Sequence, residues 1–153
     1  MSALASLYQD IILEHQQEPR NFHVIEKADA SKEGFNPLCG DRICLQLKLS
    51  LDHSKVEQIG FQGEGCTICM ASASIMTEEL KALDVPIALD RIMSFRRWMQ
   101  GLGEKPESRE DDLEALGGVR KFPVRIKCAL LAWTTANQAL TEVIMKSEGS
   151  KND

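Results

Sequence analysis

The chain has 153 residues, a formal net charge of -5 and 43% hydrophobic residues, of which few are aromatic. This length fits one domain with an aliphatic core, and the acidic balance with little clustering of Lys and Arg argues against a nucleic-acid partner. No signal peptide and no apolar run long enough to span a membrane is visible, so we expect a cytoplasmic protein without a membrane partner.

The first half of the chain predicts a helix followed by a small sheet. Apolar residues at helical spacing predict an N-terminal helix that ends before Pro19, and residues 20–38 are expected to form a loop. Residues 43–51 alternate between apolar and polar side chains, which is typical of a strand with one buried face. Residues 56–61 supply a second strand, joined to the first as an antiparallel hairpin.

The second half of the chain predicts helices. One helix follows the glycines that end the second strand, and another begins at Asp84, a candidate N-cap, with Pro86 just inside it. The charged segment 104–118 is expected to be a loop with some helical character near its end. Pro123 opens a last helix with apolar residues at helical spacing. This order of elements predicts an α+β fold.

The end of the chain differs in composition from the part before it. Residues 147–153 have too little apolar content to become ordered by packing. We therefore expect a single domain over residues 1–146 and a disordered tail over residues 147–153.

Five cysteines in a chain expected to be cytoplasmic favour metal binding or thiol chemistry over a disulfide framework. Cys39 lies in the predicted turn NPLCGD, and Asp41 follows two residues later. Both side chains could reach one cation, since zinc accepts thiolate and carboxylate ligands. Asp41 could equally cap the turn by accepting hydrogen bonds from backbone amides. The turn alone leaves both interpretations open.

Cys66 and Cys69 form a C-x-x-C pair at the start of the helix that follows the second strand. Backbone amides and the helix dipole favour a thiolate at Cys66. A thioredoxin-like redox pair would need a βαβ context, which is missing, so Cys69 is interpreted as a small core residue. Cys44 falls on the polar face of the first predicted strand, and no function is predicted for it.

Cys128 lies in the first turns of the last predicted helix, and two cationic residues precede it. Arg125 and Lys127 could lower the pKa of its thiol. Cys128, like Cys39 and Cys66, lies near the end of a predicted element, so the three thiols could converge at one rim of the domain. The spacing between these cysteines is not that of a zinc finger and is by itself a weak signal.

Four motifs, in the same order along nearly the whole chain, carry a family resemblance: LYQDIILEHQQEPRNF, NPLCGD, GFQGEGCTICMASASIMTEEL and KFPVRIKCALLAW. With them the chain resembles the IscU/NifU-N superfamily of iron–sulfur cluster assembly proteins, most closely its SufU branch. Lys127 stands where the IscU branch has a His, and residues 97–118 match a SufU-type insertion. KFPVRIK also replaces the LPPVK motif of the IscU branch.

The resemblance implies an α+β fold of the SufE/NifU-like kind, with a small antiparallel sheet of about three strands covered on one face by helices. It implies a zinc site formed by Cys39, Asp41, Cys66 and Cys128. It also implies a sulfurtransferase in which Cys39 accepts persulfide sulfur from a SufS-type cysteine desulfurase. Arg125 is expected to help dock that partner or to polarise the site.

Two alternatives to this function remain at the level of the sequence. The same ligands could hold transient iron or a [2Fe–2S] cluster, as in a scaffold, because thiolates suit both zinc and iron. The protein could also be a non-catalytic, zinc-stabilised adaptor that activates the desulfurase. Downstream iron–sulfur assembly proteins are further implied partners. SufU proteins usually have Ser where this chain has Cys69, which is a departure from the pattern.

Overall fold

The computed structural model of the chain describes residues 3–109 and 111–151. A 3-10 helix (Asp111–Lys121) lies between the third and fourth α-helices. The α-helices and strands follow the order α1 (Ala3–Gln17), β1 (Ala30–Asn36), β2 (Asp41–Leu49), β3 (Val56–Glu64), α2 (Thr67–Leu80), α3 (Val85–Met99) and α4 (Pro123–Lys151).

The three strands form one antiparallel sheet with β2 in the centre. Every second residue of β2 is buried, as the alternation of apolar and polar side chains predicts. The buried apolar residues of β2 are Ile43, Leu45, Leu47 and Leu49. They face the helices, since α4 packs against β1 and β2, and α2 and α3 pack against α4. The predicted α+β fold with a three-stranded sheet is confirmed.

The helices cover one face of the sheet, whereas the chain between α1 and β1 crosses the other face. The backbone N–H of Ile25 donates to Oε1 of Gln46 at 2.7 Å, and Gln46 lies on the polar face of β2. In the core between the helices, the rings of Phe95 and Trp133 stack with their centroids 3.9 Å apart. This packing gives the aliphatic core one large aromatic contact.

A third strand was implied by the family resemblance, but its position was not predicted, because residues 20–38 were expected to form a loop. The sequence of β1, ASKEGFN, has no regular alternation of apolar residues. Close packing on α4 replaces that alternation at Gly34, where an added Cβ would lie 2.1 Å from Oγ1 of Thr135. The absence of a side chain, which is not a strand signal, is therefore what lets β1 approach the helix.

Element boundaries also differ from the predictions at three places. β2 ends at Leu49, so Leu51 lies in the following turn and is fully exposed rather than buried. β3 continues to Glu64 instead of ending at residue 61. α4 continues to Lys151, beyond the expected boundary at residue 146, because extending an existing helix costs much less than starting one. Residues 152–153 of the expected tail lie outside the described residues.

A buried polar cluster joins α1 to α2 and to the 3-10 helix. The ring of His15 is buried, with Nδ1 2.7 Å from Oγ of Ser74 and Nε2 2.6 Å from Oδ2 of Asp112. Tyr8 of α1 adds a hydrogen bond to Glu114 of the 3-10 helix at 3.0 Å. Because Ser74 is fully buried, this Ser-His-Asp arrangement offers no nucleophile to a substrate and serves to hold the elements together.

Within residues 3–109 and 111–151, no helix is both long and apolar enough to cross a membrane.

Candidate functional site

The turn between β1 and β2 places Cys39 and Asp41 at one end of the sheet. Asn36 and Asp41 are paired across the two strands, so the turn consists of residues 37–40. The N–H of Cys39 donates to the carbonyl of Asn36 at 3.4 Å. Gly40 adopts a left-handed conformation, with φ of 68°, which a residue with a side chain would adopt at a cost. Cys39 is therefore at the tip of the turn, where it is partly exposed.

Asp41 is fully buried, and both of its carboxylate oxygens accept hydrogen bonds. Oδ1 accepts from the backbone N–H of Cys66 at 2.8 Å, and Oδ2 accepts from Nδ2 of Asn36 at 3.1 Å. An added Cβ at Gly65 would lie 2.6 Å from Oδ1, so the glycine leaves room for the carboxylate. The sequence alone left open that Asp41 caps its own turn by accepting hydrogen bonds from backbone amides. Asp41 does accept from a backbone amide, but this amide lies at the start of α2 and not in the turn of residues 37–40.

Cys66 is the N-cap residue of α2. Its Sγ accepts a hydrogen bond from the N–H of Cys69 at 3.4 Å, and its side chain is partly exposed. Cys69 is fully buried in the core, and burial raises the pKa of its thiol. The interpretation of Cys69 as a core residue is confirmed, and the thiol at the helix start is the accessible one of the pair.

Cys128 is buried inside α4, with its Sγ 3.2 Å from Sγ of Cys39. Nδ2 of Asn36 also lies 3.6 Å from Sγ of Cys128. Burial, followed by the hydrogen bond with Cys39, raises the pKa of the Cys128 thiol. The prediction that Arg125 and Lys127 lower this pKa is wrong, because desolvation of the thiolate outweighs the attraction of exposed cations.

Three of the four predicted metal ligands converge. The ligand atoms of Cys39, Asp41 and Cys128 all lie within 4.8 Å of one another. Sulfur ligands at about 2.3 Å from a zinc ion form a tetrahedron with edges of about 3.8 Å, so small side-chain movements suffice to bind one. Cys66 is outside this group, but its backbone N–H donates to Oδ1 of Asp41, which joins the start of α2 to the other three residues.

The chemistry of these donors fits zinc. Three thiols and one carboxylate form the kind of mixed sulfur and oxygen ligand set that zinc accepts. The carboxylate of Asp41 and the thiol of Cys128 are buried next to each other, and a cation would compensate for their negative charge once the thiol is deprotonated. The residues present are therefore compatible with the metal that the family resemblance implies.

Arg125 lies one turn before Cys128 on α4, with an exposed side chain. Its pKa is raised, mainly by the negative charge of the Cys66 thiolate and further by a hydrogen bond with Cys128. Arg125 and Cys66 also line the same open groove, so Arg125 lies at the rim of the candidate site. This is the position that docking or polarisation would require.

A groove of about 1010 Å³ opens beside Cys66. Its walls come from α1, from the 3-10 helix and from the first residues of α2 and α4. Apolar residues near the candidate site are also exposed, including Leu38 beside Cys39 and Val124 beside Arg125. A groove of this size exceeds what a metal ion needs, and exposed apolar side chains around it indicate a surface for a macromolecule.

Asn36 is the residue of this site that sequence reasoning missed, because it was assigned to the end of a loop. The signal was present in the motif NPLCGD. If residues 37–40 form a tight turn between antiparallel strands, Asn36 and Asp41 must be paired, and paired residues present their side chains on the same face.

The combination of a three-stranded antiparallel sheet, a helical layer and a cluster of cysteines with one aspartate defines a class of small thiol-containing α+β proteins. Comparison of the sequence with protein families places it within that class. The model of the family described as the NifU-like N-terminal domain matches residues 7–149. The chain therefore belongs to this family.

The relatives that match nearly the full length of the chain include two with different names. The protein named zinc-dependent sulfurtransferase SufU from Bacillus subtilis (strain 168) is 44% identical over 146 residues, which cover 95% of each chain. The protein named iron–sulfur cluster assembly scaffold protein IscU from Streptococcus pyogenes serotype M1 is 36% identical and covers 99% of this chain and 91% of its own length. The chain is thus similar to members with two different named roles.

Solved structures agree with the fold. A protein described as an iron–sulfur cluster assembly scaffold for the SUF system, from Fervidobacterium islandicum AW-1, is similar with a TM-score of 0.76 and 27% identity. The match covers 88% of this chain and 97% of that one. The N-terminal part of a NifU-like protein from Brucella abortus has a TM-score of 0.83 at 21% identity, which supports the fold alone.

Proposed function

We propose that this protein is a zinc-dependent sulfurtransferase of iron–sulfur cluster assembly, which accepts persulfide sulfur on Cys39 from a cysteine desulfurase of the SufS type. The observation that carries the proposal is the contrast in exposure within the thiol pair of Cys39 and Cys128. Their sulfurs are 3.2 Å apart, but Cys39 is at the tip of a turn whereas Cys128 is fully buried. The name of the Bacillus subtilis relative supports the same activity.

Cys39, Asp41, Cys66 and Cys128 would hold the zinc ion. When bound, zinc would keep the ligating sulfurs deprotonated at neutral pH. The fixed members of the set are Asp41 and Cys128, which are buried, and Cys66, which is tied to the first turn of α2. Cys39 is the ligand with the most freedom to move, because its turn is exposed and, among the described residues, nothing lies within 4 Å of a Cβ added at the adjacent Gly40.

Sulfur transfer to Cys39 requires a persulfide donor and no change in net oxidation state. The thiolate of Cys39 attacks the outer sulfur of the donor persulfide and forms a new S–S bond. The S–S bond of the donor breaks, and the donor cysteine leaves as a thiolate. Arg125, which lines the same groove as Cys66, would stabilise negative charge during the exchange.

In this proposal the persulfide donor is a protein and not a free small molecule. Leu38 and Val124 expose more than half of their side-chain surface beside the site, and Phe122 does the same at the groove. Exposed apolar side chains around a nucleophile suit a protein partner that covers them and keeps water from the persulfide.

The test is to incubate the zinc-loaded protein with a SufS-type desulfurase and cysteine and to locate the added sulfur by mass spectrometry. We expect one added sulfur on Cys39, and none in Cys39→Ala, whose fold should remain intact because the residue lies in an exposed turn. Cys44→Ala is the matched control, because Cys44 is a partly exposed cysteine of the same sheet outside the site. Added sulfur on another cysteine, or undiminished labelling in Cys39→Ala, would refute the proposal.

A scaffold role is the second candidate, and the name of the Streptococcus pyogenes relative favours it. The same ligands could hold a [2Fe–2S] cluster, since thiolates bind iron as well as zinc. Metal analysis of protein purified without oxygen separates the two roles. Zinc at one ion per chain is expected for the sulfurtransferase, whereas iron with inorganic sulfide would support the scaffold.

An adaptor role makes a third, distinct prediction. A zinc-stabilised adaptor would activate the desulfurase without carrying sulfur itself. In that case Cys39→Ala would stimulate cysteine turnover by the desulfurase as well as the unaltered protein does. The sulfurtransferase proposal expects this stimulation to be lost, because the persulfide on the desulfurase would have no acceptor.

A further inference from the structure

Asn36 lies in the candidate metal site but is not one of the four expected ligands. It is the last residue of β1, it is buried, and it is paired with Asp41 across the hairpin. Its carbonyl accepts a hydrogen bond from the N–H of Cys39. The backbone of Asn36 therefore closes the turn that carries Cys39, while its side chain points to the buried side of the site.

The side-chain amide of Asn36 contacts two of the expected ligands. Nδ2 donates to Oδ2 of Asp41 at 3.1 Å and lies 3.6 Å from Sγ of Cys128. An amide nitrogen carries two N–H groups, so both acceptors can be satisfied at once. Since the N–H of Cys66 bonds Oδ1 of Asp41, the carboxylate is held through both of its oxygens.

N–H donors are distributed unequally among the three thiols. Sγ of Cys66 accepts from the N–H of Cys69, and Sγ of Cys128 accepts from the amide of Asn36. Among the residues that the structure describes, no N–H group donates to Sγ of Cys39, whose hydrogen bond comes from the Cys128 thiol. A hydrogen bond to a thiolate stabilises its charge, lowers its nucleophilicity and fixes its orientation, so two thiols are restrained in this way and one is not.

We propose that Asn36 is a positioning residue of the candidate metal site, which orients Asp41 and restrains Cys128 so that Cys39 is the ligand that exchanges. This inference rests on the proposed zinc-dependent function and deepens it. On this inference, the side-chain amide of Asn36, in the same hairpin as Cys39, determines which cysteine reacts. Groups that orient metal ligands in this way commonly have measurable effects on metal affinity.

The main test compares Asn36→Leu with the wild-type protein. Leu branches at Cγ as Asn does but has no donor, so it removes both hydrogen bonds, although its methyl groups occupy more space. We expect zinc affinity, measured by competition with a chromophoric chelator, to fall by about tenfold to a hundredfold. Asn36→Ser, which keeps a hydroxyl donor and is smaller, provides a second variant in case Leu disturbs the turn, and its affinity should fall less.

Gln46→Met is the matched control. Gln46 is an amide residue of the same sheet, and its side chain also makes one hydrogen bond, to the N–H of Ile25 on the opposite face. Replacing it removes an amide hydrogen bond of comparable kind at a distance from the site. We expect its zinc affinity to equal that of the wild-type protein, so any general effect of a lost amide is separated from an effect on the ligands.

A second readout addresses the choice of thiol directly. Zinc-loaded protein is treated briefly with an alkylating reagent, and the modified cysteines are mapped by mass spectrometry. Within the site, we expect alkylation of Cys39 alone in the wild-type protein and in Gln46→Met. In Asn36→Leu we expect alkylation to spread to Cys128, which has lost its restraining donor.

The outcomes separate this inference from the function on which it rests. Unchanged zinc affinity and an unchanged alkylation pattern in both Asn36 variants would overturn the inference and leave Asn36 as a turn residue only. Failure of the wild-type protein to bind zinc would instead overturn the proposed function, and the inference with it.

Discussion

Two turns at opposite ends of β2 carry an aspartate each and use it in different ways. In the turn of residues 50–55, Asp52 is exposed and accepts hydrogen bonds from the hydroxyls of Ser50 and Ser54 at 2.8 and 2.7 Å. It also accepts from the N–H of Ser54 at 3.1 Å. All of these donors lie within two residues of Asp52, so this aspartate closes its own turn.

Asp41, beside the turn of residues 37–40, is buried and makes one bond far outside that turn. One of its partners is the N–H of Cys66, which is 25 residues away in sequence, and the other is the paired Asn36. The difference teaches that local composition does not distinguish a capping aspartate from a site residue. Burial and a hydrogen-bond partner from another element do distinguish them. A buried carboxylate has lost its contact with water, so only a cation or several hydrogen-bond donors can compensate for its charge.

The largest effect is expected when Asp41 and Asp52 are each replaced by Ala. Zinc that binds only the folded protein adds about 2.7 kcal/mol to its unfolding free energy when free zinc is roughly a hundred times the dissociation constant. We expect this zinc-dependent increment to disappear in Asp41→Ala and to remain in Asp52→Ala. Urea unfolding with and without a zinc chelator measures it for each variant.

The chelated forms provide the control for this experiment, since a loss that does not depend on zinc appears in them as well. An increment that survives in Asp41→Ala would show that the carboxylate is not a ligand. It would also remove the proposed distinction between the two turns.

A smaller effect is expected from adding one methyl group at either of two glycines that lie near Asp41. In Gly65→Ala the new Cβ would lie 2.6 Å from Oδ1 of Asp41, so the carboxylate must move and zinc affinity should fall. In Gly40→Ala no atom of the described residues lies within 4 Å of the new Cβ, but a residue with a side chain adopts this left-handed backbone at a cost of about 1–2 kcal/mol of unfolding free energy. We expect this second loss to be equal with and without zinc.

Chelator competition and urea unfolding on the two glycine variants distinguish crowding of the carboxylate from strain in the turn. Normal zinc affinity in Gly65→Ala would mean that Asp41 can bind the metal from another position. The hydrogen bond to Cys66 would then be unnecessary for the site.

Cys69→Ser should have a still smaller effect, because Cys69 lies beside the site without belonging to it. The hydroxyl can bond a carbonyl one helical turn earlier, so we expect a loss of unfolding free energy of about 1 kcal/mol or less. Zinc content and sulfur labelling of Cys39 should be unchanged. A sharp loss of sulfur transfer in this variant, or added sulfur on Cys69 in the wild-type protein, would show that the C-x-x-C pair functions as a unit.

The smallest effect is expected on the stability of the protein at acidic pH, and it concerns Asp52 in the turn of residues 50–55. Hydrogen bonds, first from the side chain of Ser54 and then from that of Ser50, lower the pKa of Asp52 from 3.8 to about 2. A lowered pKa in the folded state stabilises the protein above the unfolded pKa, and this contribution is lost as the pH falls through the folded pKa. The stability advantage over Asp52→Asn should therefore shrink between about pH 4 and pH 2.

An NMR titration of the Asp52 carboxyl checks the cause of this lowered pKa. We expect Ser54→Ala to raise the pKa of Asp52 toward its ordinary value, because it removes the hydroxyl donor that contributes most. An unchanged pKa in Ser54→Ala would mean that other groups hold the carboxylate in its charged form.

The sequence by itself determined the features that repeat locally or match a motif. The alternation in β2 and the helix starts at Thr67, Val85 and Pro123 follow from periodicity and from punctuating residues, since these depend on neighbours along the chain. The four expected ligands came from motif resemblance and not from spacing. The structure brings the ligand atoms of Cys39, Asp41 and Cys128 together.

Only the tertiary structure decided which interpretation of each polar residue applies. β1 pairs with β2 and can pack on α4 because Gly34 leaves room for Thr135, and the pKa of Cys128 is raised because the same helix buries its thiol. Asn36 belongs to the site because the hairpin pairs it with Asp41. Each of these depends on contacts between residues far apart in sequence, and burial and hydrogen-bond partners are properties of such contacts and not of composition.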